Sequence, residues 1–325
     1  MSRLPALVAL PALPCRLLLL IAIAAAAAPS LAAELTAELS KDKNAVTIKI
    51  DGRPLAEYLF RSGNKPILWP IIGPTGQPMT RAYPMVAQTK EADDHVHHRS
   101  MWFSHGDVNG VNFWAEGPKC GTIRQRELVK TSGGQRATVV TNNDWLGPDG
   151  KRQCEDQRTL TFSSDGDARQ IDFDIVIHAS NGPVKFADNK EGTFGIRVAE
   201  SLRVDAKQGG QLINSQGQSN EAAWGKPASW VDYHGPLNGQ TVGIAILNHT
   251  GSFRYPTPWH VRTYGLFAAN PFGLRALGGK KDVDGSYTIP ADGNIALHYR
   301  LILHRGDEKT GHIAEAFAKY AKESK

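Results

Sequence analysis

The sequence is poor in cysteine, in long apolar runs and in charge of one sign, and each scarcity excludes a class of protein. Only three cysteines occur, which excludes a small scaffold held together by several disulfides. The one long apolar run, residues 17–28, lies near the N-terminus, and no later run could span a membrane. The formal net charge of +5 falls to about +3 without Arg3 and Arg16, so we expect no nucleic-acid partner.

Residues 1–33 have the layout of a cleaved export signal. Arg3 precedes the apolar run, and the small residues Ser30, Ala32 and Ala33 follow it, as at a cleavage site. The run itself is too short for a stable membrane span. We therefore expect a periplasmic or secreted protein whose mature part, residues 34–325, forms a single domain without linkers or repeats.

The mature chain keeps two cysteines, Cys120 and Cys154. In an oxidising compartment they could form one disulfide, closing a loop of about 35 residues. The alternative is two free thiols that lie too far apart to pair. The sequence leaves both open.

Short apolar or alternating stretches separated by turn residues dominate the mature chain. AVTIKI and PLAEYLF flank an Asp-Gly turn and predict a hairpin. Further predicted strands are GTIRQRELVKT, ATVVTNNDW, QRTLTFSS, RQIDFDIVIHAS, GTFGIRVAESLRV, TVGIAILNH and IALHYRLILH. Only residues 310–322 follow a helical pattern, with Ile313, Phe317 and Tyr320 on one stripe and Thr310 as a candidate cap. We predict an all-β fold, a large two-sheet β-sandwich with a short C-terminal helix.

The segment DHVHHRSMWFSHGDVNGVNFW contains four of the eleven histidines of the chain. An extended backbone would point His95 and His97 to one face and Val96 and His98 to the other. Three roles fit such a cluster: a divalent metal site through His95 and His97, metal-free acid–base chemistry, or structural capping of strands. The clustering argues against the structural role, because so many titratable groups are costly to bury unless they are paired.

The same segment supplies side chains of the kind that bind sugars. Flat rings stack on pyranose faces while polar groups reach the hydroxyls. For each tryptophan, packing in the core is the competing interpretation. The candidates for substrate binding here are Arg99, Trp102, His105, Asp107 and Asn109.

A second segment, TPWHVRTYGLFAANPFG, has a similar mixture of residues. In a strand, Trp259 and Val261 would face away from His260, Arg262 and Tyr264, which leaves one polar face of the kind that lines a cleft. Arg262 offers a planar fork for a carboxylate or paired hydroxyls, with a structural ion pair as the alternative. The candidates here are His260 and Tyr264 for catalysis and Trp259, Arg262 and Asn270 for substrate binding.

Glu191 lies in a Gly-bounded loop, FADNKEG, ahead of an apolar strand. It is the candidate carboxylate that complements a histidine, as general base or as metal ligand, and an exposed loop charge is the alternative. The segment AWGKPASWVDYHGP, which contains Trp224, Asp232 and His234, is a candidate rim of the same cleft.

At these residues the chain resembles a family of secreted bacterial proteins known as PmoA-related. The matching stretches are KPILWPIIGPTGQPMTRAYP, DHVHHRSMWFSHGDVNGVNFW, NDWLGPDGK, EGTFGIRVAE, PTPWHVRTYGLFAANPFG and LHYRLILHRG. Val96 stands where the family usually has proline, which leaves the histidines in place. The family name refers to a methane monooxygenase subunit, but that subunit is an integral membrane protein, so we reject this function.

The resemblance implies a β-sandwich similar to the galactose-mutarotase-like supersandwich. It also implies proton-transfer chemistry at a sugar ring, for which His95, His97, His98 and Glu191 are the candidate residues. Three hypotheses follow: an exported lyase, hydrolase or epimerase acting on a glycoside or oxidised sugar, a non-catalytic carbohydrate-binding protein, or a metal-dependent sugar-processing enzyme. The sequence does not specify the sugar, the bond broken or the oligomeric state.

Overall fold

The computed structural model describes residues 33–87, 90–279 and 282–325, together with residues 1, 4 and 6. The predicted export signal over residues 1–33 therefore lies almost wholly outside the described residues. Its cleavage, and the mature domain over residues 34–325, stay predictions. No helix in the described part of the chain is long and apolar enough to cross a membrane.

Strands make up most of the regular structure of the described residues. In chain order they are β1 (Leu35–Leu39), β2 (Ala45–Ile50), β3 (Arg53–Ser62), β4 (Lys65–Ile71), β5 (Met101–His105), β6 (Thr122–Ser132), β7 (Ala137–Leu146), β8 (Arg152–Asp165), β9 (Ala168–His178), β10 (Val184–Phe186), β11 (Gly192–Arg197), β12 (Gln211–Asn214), β13 (Trp230–Leu237), β14 (Gln240–Asn248), β15 (Trp259–Val261), β16 (Leu266–Ala269), β17 (Tyr287–Ile289) and β18 (Asn294–Arg305). Each predicted strand segment overlaps one of these strands, although GTFGIRVAESLRV leaves the sheet after Arg197.

Two antiparallel sheets of eight strands each form the sandwich. The first has the order β1-β2-β3-β4-β5-β11-β16-β15, and the second has the order β12-β13-β14-β18-β9-β8-β7-β6. Strands β10 and β17 form a small separate pair. The first sheet joins strands from the first third of the chain to β11, β15 and β16, so distant segments become neighbours.

Alternating residues of both sheets fill the space between them. On β9, Ile171, Phe173, Ile175 and Ile177 are all buried in this core, as the clean alternation of the sequence predicts. Because each sheet turns one face inward, every second residue of its strands is left on an outer face. The predicted all-β, two-sheet sandwich with a short C-terminal helix is confirmed.

The C-terminal helix α1 (Ile313–Tyr320) packs on the outer face of the second sheet. Ile313 and Tyr320 are buried there and Phe317 is partly buried, as the helical stripe predicts. The predicted cap is wrong. Thr310 lies in a turn in which its backbone N–H donates to Asp307, and His312 occupies the position before the helix.

Cys120 and Cys154 are both free thiols, so the disulfide alternative is not realised. Cys154 points into the core from β8, opposite Trp145, and is fully buried. Cys120 lies in the loop before β6 and is partly exposed. Desolvation by burial raises the pKa of the Cys154 thiol, which keeps it protonated and unreactive.

Candidate functional site

The candidate site lies on the outer face of the first sheet. On β5, Met101 and Phe103 enter the sandwich core, whereas Trp102 belongs to a separate apolar cluster with Ile67 and Leu266. Gly195 pairs with Trp102 across the sheet, and a Cβ at Gly195 would come within 3.0 Å of the indole. The glycine therefore lets the large ring lie across the neighbouring strand.

Above this apolar cluster is a cleft of about 670 Å³. Its walls combine the histidine-rich segment, the loop before β11 and the β15–β16 hairpin. The described residues that line it are His95, His97, His98, Asn112, Trp114, Ala115, Lys190, Glu191, His260, Arg262, Thr263 and Tyr264. The structure thus brings together all six residues predicted as catalytic.

The histidine-rich segment forms a turn, so the side chains are not arranged as they would be on an extended backbone. The backbone N–H of His98 donates to the backbone carbonyl of His95 at 2.9 Å, and His95 has a positive φ of 44°. Because a turn brings its first and fourth residues together, the rings of His95 and His98 stack, with centroids 4.7 Å and planes 6° apart. Val96 is exposed instead of sharing a face with His98.

A buried arginine holds this turn in place. The guanidinium of Arg81, which is fully buried, donates to four backbone carbonyls of the segment and to the Asp94 carboxylate at 2.7 Å. The carbonyl acceptors are those of Ala92, Asp94, His95 and His98. These bonds replace the sheet pairing that a loop lacks, and they fix the backbone that carries the histidines.

The second predicted segment reaches the cleft through its hairpin. The ring of Tyr264 stacks on His95 with centroids 5.0 Å apart, and the Arg197 guanidinium lies 4.7 Å from the centre of the same ring. Arg262 lines the cleft and lies over the ring of Trp224 at 5.2 Å. His260 comes from β15 and is 2% exposed.

Several buried polar atoms around the cleft have no hydrogen-bond partner among the described residues. They are Nε2 of His98, both ring nitrogens of His260, and the indole N–H groups of Trp102 and Trp114. The Trp114 N–H is near enough to Glu191 to favour the charged carboxylate, and the His260 ring is near enough to the Lys190 backbone to favour the charged imidazole. Neither contact meets hydrogen-bond geometry. Each unpaired buried group costs about 1–3 kcal/mol, which a bound polar ligand or water would recover.

Burial keeps His97, His98 and His260 neutral and makes the Glu191 carboxylate more basic. Desolvation, with Lys65 next in effect, lowers the pKa of His97 to about 4. Desolvation, with Arg262 next, lowers the pKa of His260 to about 3, and desolvation also lowers the pKa of His98 well below its usual range. The pKa of Glu191 is raised by desolvation. At neutral pH the cleft therefore presents uncharged imidazoles beside a carboxylate.

Two predicted substrate-binding tryptophans do not line the cleft. Trp259 lies fully buried between the sheets, and its indole N–H donates to the Ala228 carbonyl at 2.9 Å. Trp102 is 1% exposed and stacks beneath His98, with centroids 5.3 Å apart. In both cases the core-packing interpretation is the correct one. The aromatic side chains that do line the cleft are Trp114 and Tyr264.

The other candidates of the first segment have structural partners away from the cleft. Arg99 binds Glu116 through two nitrogens, at 2.6 and 2.8 Å. His105 is fully buried against Phe186, and its Nε2–H donates to the Ala187 carbonyl at 2.8 Å. Asp107 accepts from the backbone N–H of Gly110, and Asn109 accepts from that of Lys185 in β10.

Asn270 acts on the cleft from outside it. Its side-chain amide donates to the carbonyls of Asn189 and Lys190, at 2.8 and 3.1 Å. It thereby holds the loop that carries Glu191, but it does not line the cleft itself.

The residues of the predicted rim segment lie in two different places. Trp224 contacts Arg262, whereas Asp232 and His234 lie on the outer face of the second sheet, where Asp232 binds His304.

Four buried or half-buried charged residues that organise the cleft were not among the predicted site residues, because isolated charges look like surface residues. They are Lys65, Arg81, Asp94 and Arg197. Lys65 is fully buried, with its ammonium bonded to Asn64, Glu116 and the Trp114 carbonyl. Desolvation lowers its pKa to about 8. Among these four residues, only Arg197 had a signal in the sequence. The alternation of β11 places it on the outer face of the sheet, where the cleft lies.

Two groups of side chains in the described residues could in principle hold a metal ion, since their ligand atoms lie within 4.8 Å of one another. One is His97, His98 and Glu191 in the cleft, and the other is Asp232, His234 and Glu308 on the second sheet. The predicted pair of His95 and His97 is not such a group. Nδ1 of His95 is bonded to the Asp94 carboxylate at 2.7 Å.

Residues 45–318 match the model of a family of unknown function, DUF6807. The chain belongs to this family. No curated protein matches it.

Among solved structures, the chain is similar to an α-galactosidase from Lactobacillus brevis, with a TM-score of 0.40 and 11% identity over 84% of this chain and 39% of that one. It is also similar to a galactose mutarotase-like protein from Clostridium acetobutylicum, with a TM-score of 0.33 and 9% identity over 84% of this chain and 98% of that one. A third similar structure is a glycoside hydrolase family 97 enzyme from Pseudoalteromonas sp. strain K8 in complex with panose. Its TM-score is 0.34, with 9% identity over 86% of this chain and 35% of that one. The chain spans about two fifths of the length of the α-galactosidase.

Proposed function

We propose that this protein is an exported carbohydrate-active enzyme that transfers protons on a glycoside or an oxidised sugar. The observation that carries the proposal is the set of unpartnered buried ring nitrogens and indole N–H groups around a cleft of about 670 Å³. Such groups are costly unless a polar ligand pairs with them. A sugar, with many hydroxyls on an apolar ring, suits both these groups and the rings of Trp114 and Tyr264.

Within the cleft, three kinds of group have distinct roles. Glu191 and one imidazole of the cleft, that of His95 or His97, take or return a proton, because carboxylates and imidazoles are the side chains that most often serve as general bases and acids. Arg262 binds substrate oxygens through its planar fork. Trp114 and Tyr264 contact the ring faces. Lyase, hydrolase and epimerase reactions all need a pair of groups that take and return protons, and the proposal covers all three reaction types.

Export to the periplasm or the medium belongs to the same proposal, supported by the signal-like residues 1–33. So does membership of the PmoA-related secreted proteins, supported by the motifs that the chain shares with them. A carbohydrate that meets the protein outside the cytoplasm is the partner that this placement suggests.

The test is incubation of the mature protein with a panel of glycosides and their keto forms, followed by detection of released or isomerised sugar. His97→Gln and Glu191→Gln should each lower turnover by about 100- to 10,000-fold with the melting temperature nearly unchanged. His178→Gln and Glu127→Gln, on the second sheet, are the matched controls and should retain full activity. Binding of a sugar without product would identify a carbohydrate-binding protein and overturn the enzyme proposal.

A metal-dependent form of this chemistry is the second candidate, favoured by the closeness of His97, His98 and Glu191. Two imidazoles and a carboxylate are a common ligand set for zinc and similar ions. Elemental analysis of protein purified without a histidine tag tests it. Near-stoichiometric metal that Glu191→Gln removes would support this candidate, and full activity of metal-free protein would exclude it.

A further inference from the structure

Asp94, which the sequence did not single out, contacts both the histidine turn and the buried arginines. Its Oδ2 is 2.7 Å from Nδ1 of His95, and its Oδ1 accepts from Arg81 at 2.7 Å and from Arg197 at 2.8 Å. Burial alone would raise the pKa of Asp94, but Arg197, His95 and Arg81 outweigh it and lower the pKa. The carboxylate is therefore an acceptor only, and Nδ1 of His95 must carry the hydrogen in their bond.

Arg197 carries the influence of Asp94 to the next ring. One of its terminal nitrogens donates to Asp94, and the other lies 3.4 Å from Nδ1 of His98. A guanidinium has no acceptor, so Nδ1 of His98 must offer its lone pair. A neutral His98 then carries its hydrogen on Nε2. Nε2 of His98 is buried, since the residue is only 1% exposed, and it has no hydrogen-bond partner among the described residues.

We infer that Asp94 holds two stacked histidines in opposite tautomers, with an acceptor at Nε2 of His95 and a donor at Nε2 of His98. Both rings line the cleft, and their centroids are 4.7 Å apart with planes 6° from parallel. Asp94 bonds His95 directly and orients His98 through Arg197. Asp94 and Arg197 are thus positioning residues.

This inference deepens the proposed function and rests on it for the use made of the two rings. A proton leaves a substrate O–H or C–H for Nε2 of His95, and the imidazolium that forms is stabilised by Asp94. The electron pair stays on the substrate, where the negative charge that develops on oxygen accepts a hydrogen bond from Nε2–H of His98. The return of the proton to the product restores both rings.

A purely structural Asp94 would hold Arg81 and the turn without fixing any tautomer. Asp94→Asn separates the two roles. The remaining amide oxygen can still accept from the arginines, while the new amide N–H₂ faces Nδ1 of His95 and donates to it. This reverses the hydrogen-bond polarity and moves the His95 hydrogen from Nδ1 to Nε2.

The experiment is long-range ¹H–¹⁵N NMR of the substrate-free protein with ¹⁵N-labelled histidine, at neutral pH. His95→Gln and His98→Gln assign the two rings by loss of signals. In the unmodified protein we expect protonated Nδ1 with unprotonated Nε2 for His95, and the opposite pattern for His98. Asp94→Asn should reverse the pattern of His95, and Arg197→Met should abolish the preference of His98. Asp205→Asn, which alters a carboxylate bonded to Arg203 and not to either histidine, should leave both unchanged.

The same tautomer for both rings in the unmodified protein would overturn the inference, as would an unaltered His95 pattern in folded Asp94→Asn. If that variant does not fold, the spectrum of the unmodified protein decides alone. The NMR experiment needs no substrate, so failure of this inference can be told apart from failure of the proposed function. A substrate panel without product would reject the proposed function and would not affect the assignment of the tautomers. A protonated Nε2 of His98 would also leave no lone pair there for a metal ion.

Discussion

The imidazole of His95 stacks on the phenol ring of Tyr264, with centroids 5.0 Å apart and planes inclined by 15°. His95 comes from the loop before β5, and Tyr264 comes from the turn between β15 and β16. In the first sheet, β11 alone separates β5 from β16. This strand order is why two segments so far apart in sequence share one cleft.

The raised pKa of Glu191 predicts the acid limb of the pH–rate profile. Because burial disfavours its charged form, the carboxylate becomes protonated at a higher pH than an ordinary glutamate near 4.5. If it accepts a proton, kcat/KM should fall as the pH drops through this raised pKa. Glu191→Gln should remove the limb and lower kcat/KM by about 100- to 10,000-fold. Measurement on a substrate found by the panel checks this, and an unchanged profile in Glu191→Gln would exclude Glu191 as the base.

Arg81 should matter for stability more than its ordinary sequence context indicates. Arg81→Met removes a buried guanidinium, which leaves four carbonyls without this donor and takes one of its donors from Asp94. We expect the free energy of unfolding to fall by about 3 kcal/mol or more in urea denaturation. The matched control is Arg124→Met, at an exposed arginine of β6, with a change within about 0.5 kcal/mol. Equal effects of the two substitutions would contradict the role given to Arg81.

The network of Asp232 with His234 and His304 predicts a pH-dependent part of the stability. Burial alone would lower the pKa of each histidine, but Asp232 outweighs it and raises both. A raised histidine pKa contributes stability that is complete below about 6.5 and is lost as the pH rises through the raised value. The pKa of Asp232 is lowered by both histidines against the effect of burial, so its own contribution persists above about 3.8.

His304→Gln should therefore destabilise the protein more at pH 6 than at pH 9. The comparison uses the difference in unfolding free energy between the unmodified protein and the variant at each pH. This difference cancels the opposite contribution of the buried neutral histidines of the cleft. His178→Gln, on the same sheet but outside this network, is the control substitution. A larger loss at pH 9 would show that His304 is not held in its charged form.

The two cysteines of the mature chain should remain thiols even after export. A thiol reagent such as Ellman's should label Cys120 in the native protein, while Cys154, fully buried, reacts only after unfolding. Cys120→Ser should abolish native labelling, and Cys154→Ser should leave it intact. An intact mass two hydrogens below that of the dithiol form would reveal a disulfide and contradict the arrangement.

The residue pattern predicted most of the local structure because local structure follows local rules. The alternation of β9 and the helical stripe of α1 indicated which side chains are buried, and the structure buries Ile171 and Tyr320 accordingly. Prediction failed where the chain turns. The segment around His95 has strand-like spacing, but a hydrogen bond from His98 to His95 and the bonds from Arg81 make it a turn.

The candidate site was predicted in outline, since polar residues and rings recur at spacings that suit one face of a strand. His260 reaches the cleft for this reason, whereas Tyr264 reaches it from the turn between β15 and β16. Trp259, on the same strand, points into the core by the same alternation. Arg99 and Asn270 have suitable chemistry, but their partners, Glu116 and the loop before Glu191, come from other parts of the chain.

The sequence by itself determined the fold class, the position of the helix and the two segments rich in titratable groups, because burial patterns repeat every second residue in strands and every third or fourth in a helix. Only the tertiary structure decided which of those groups meet, and that Asp94, Arg81 and Arg197 organise them. The physical reason is that hydrogen bonds and charges act through space, between residues whose separation along the chain carries no information about their contact.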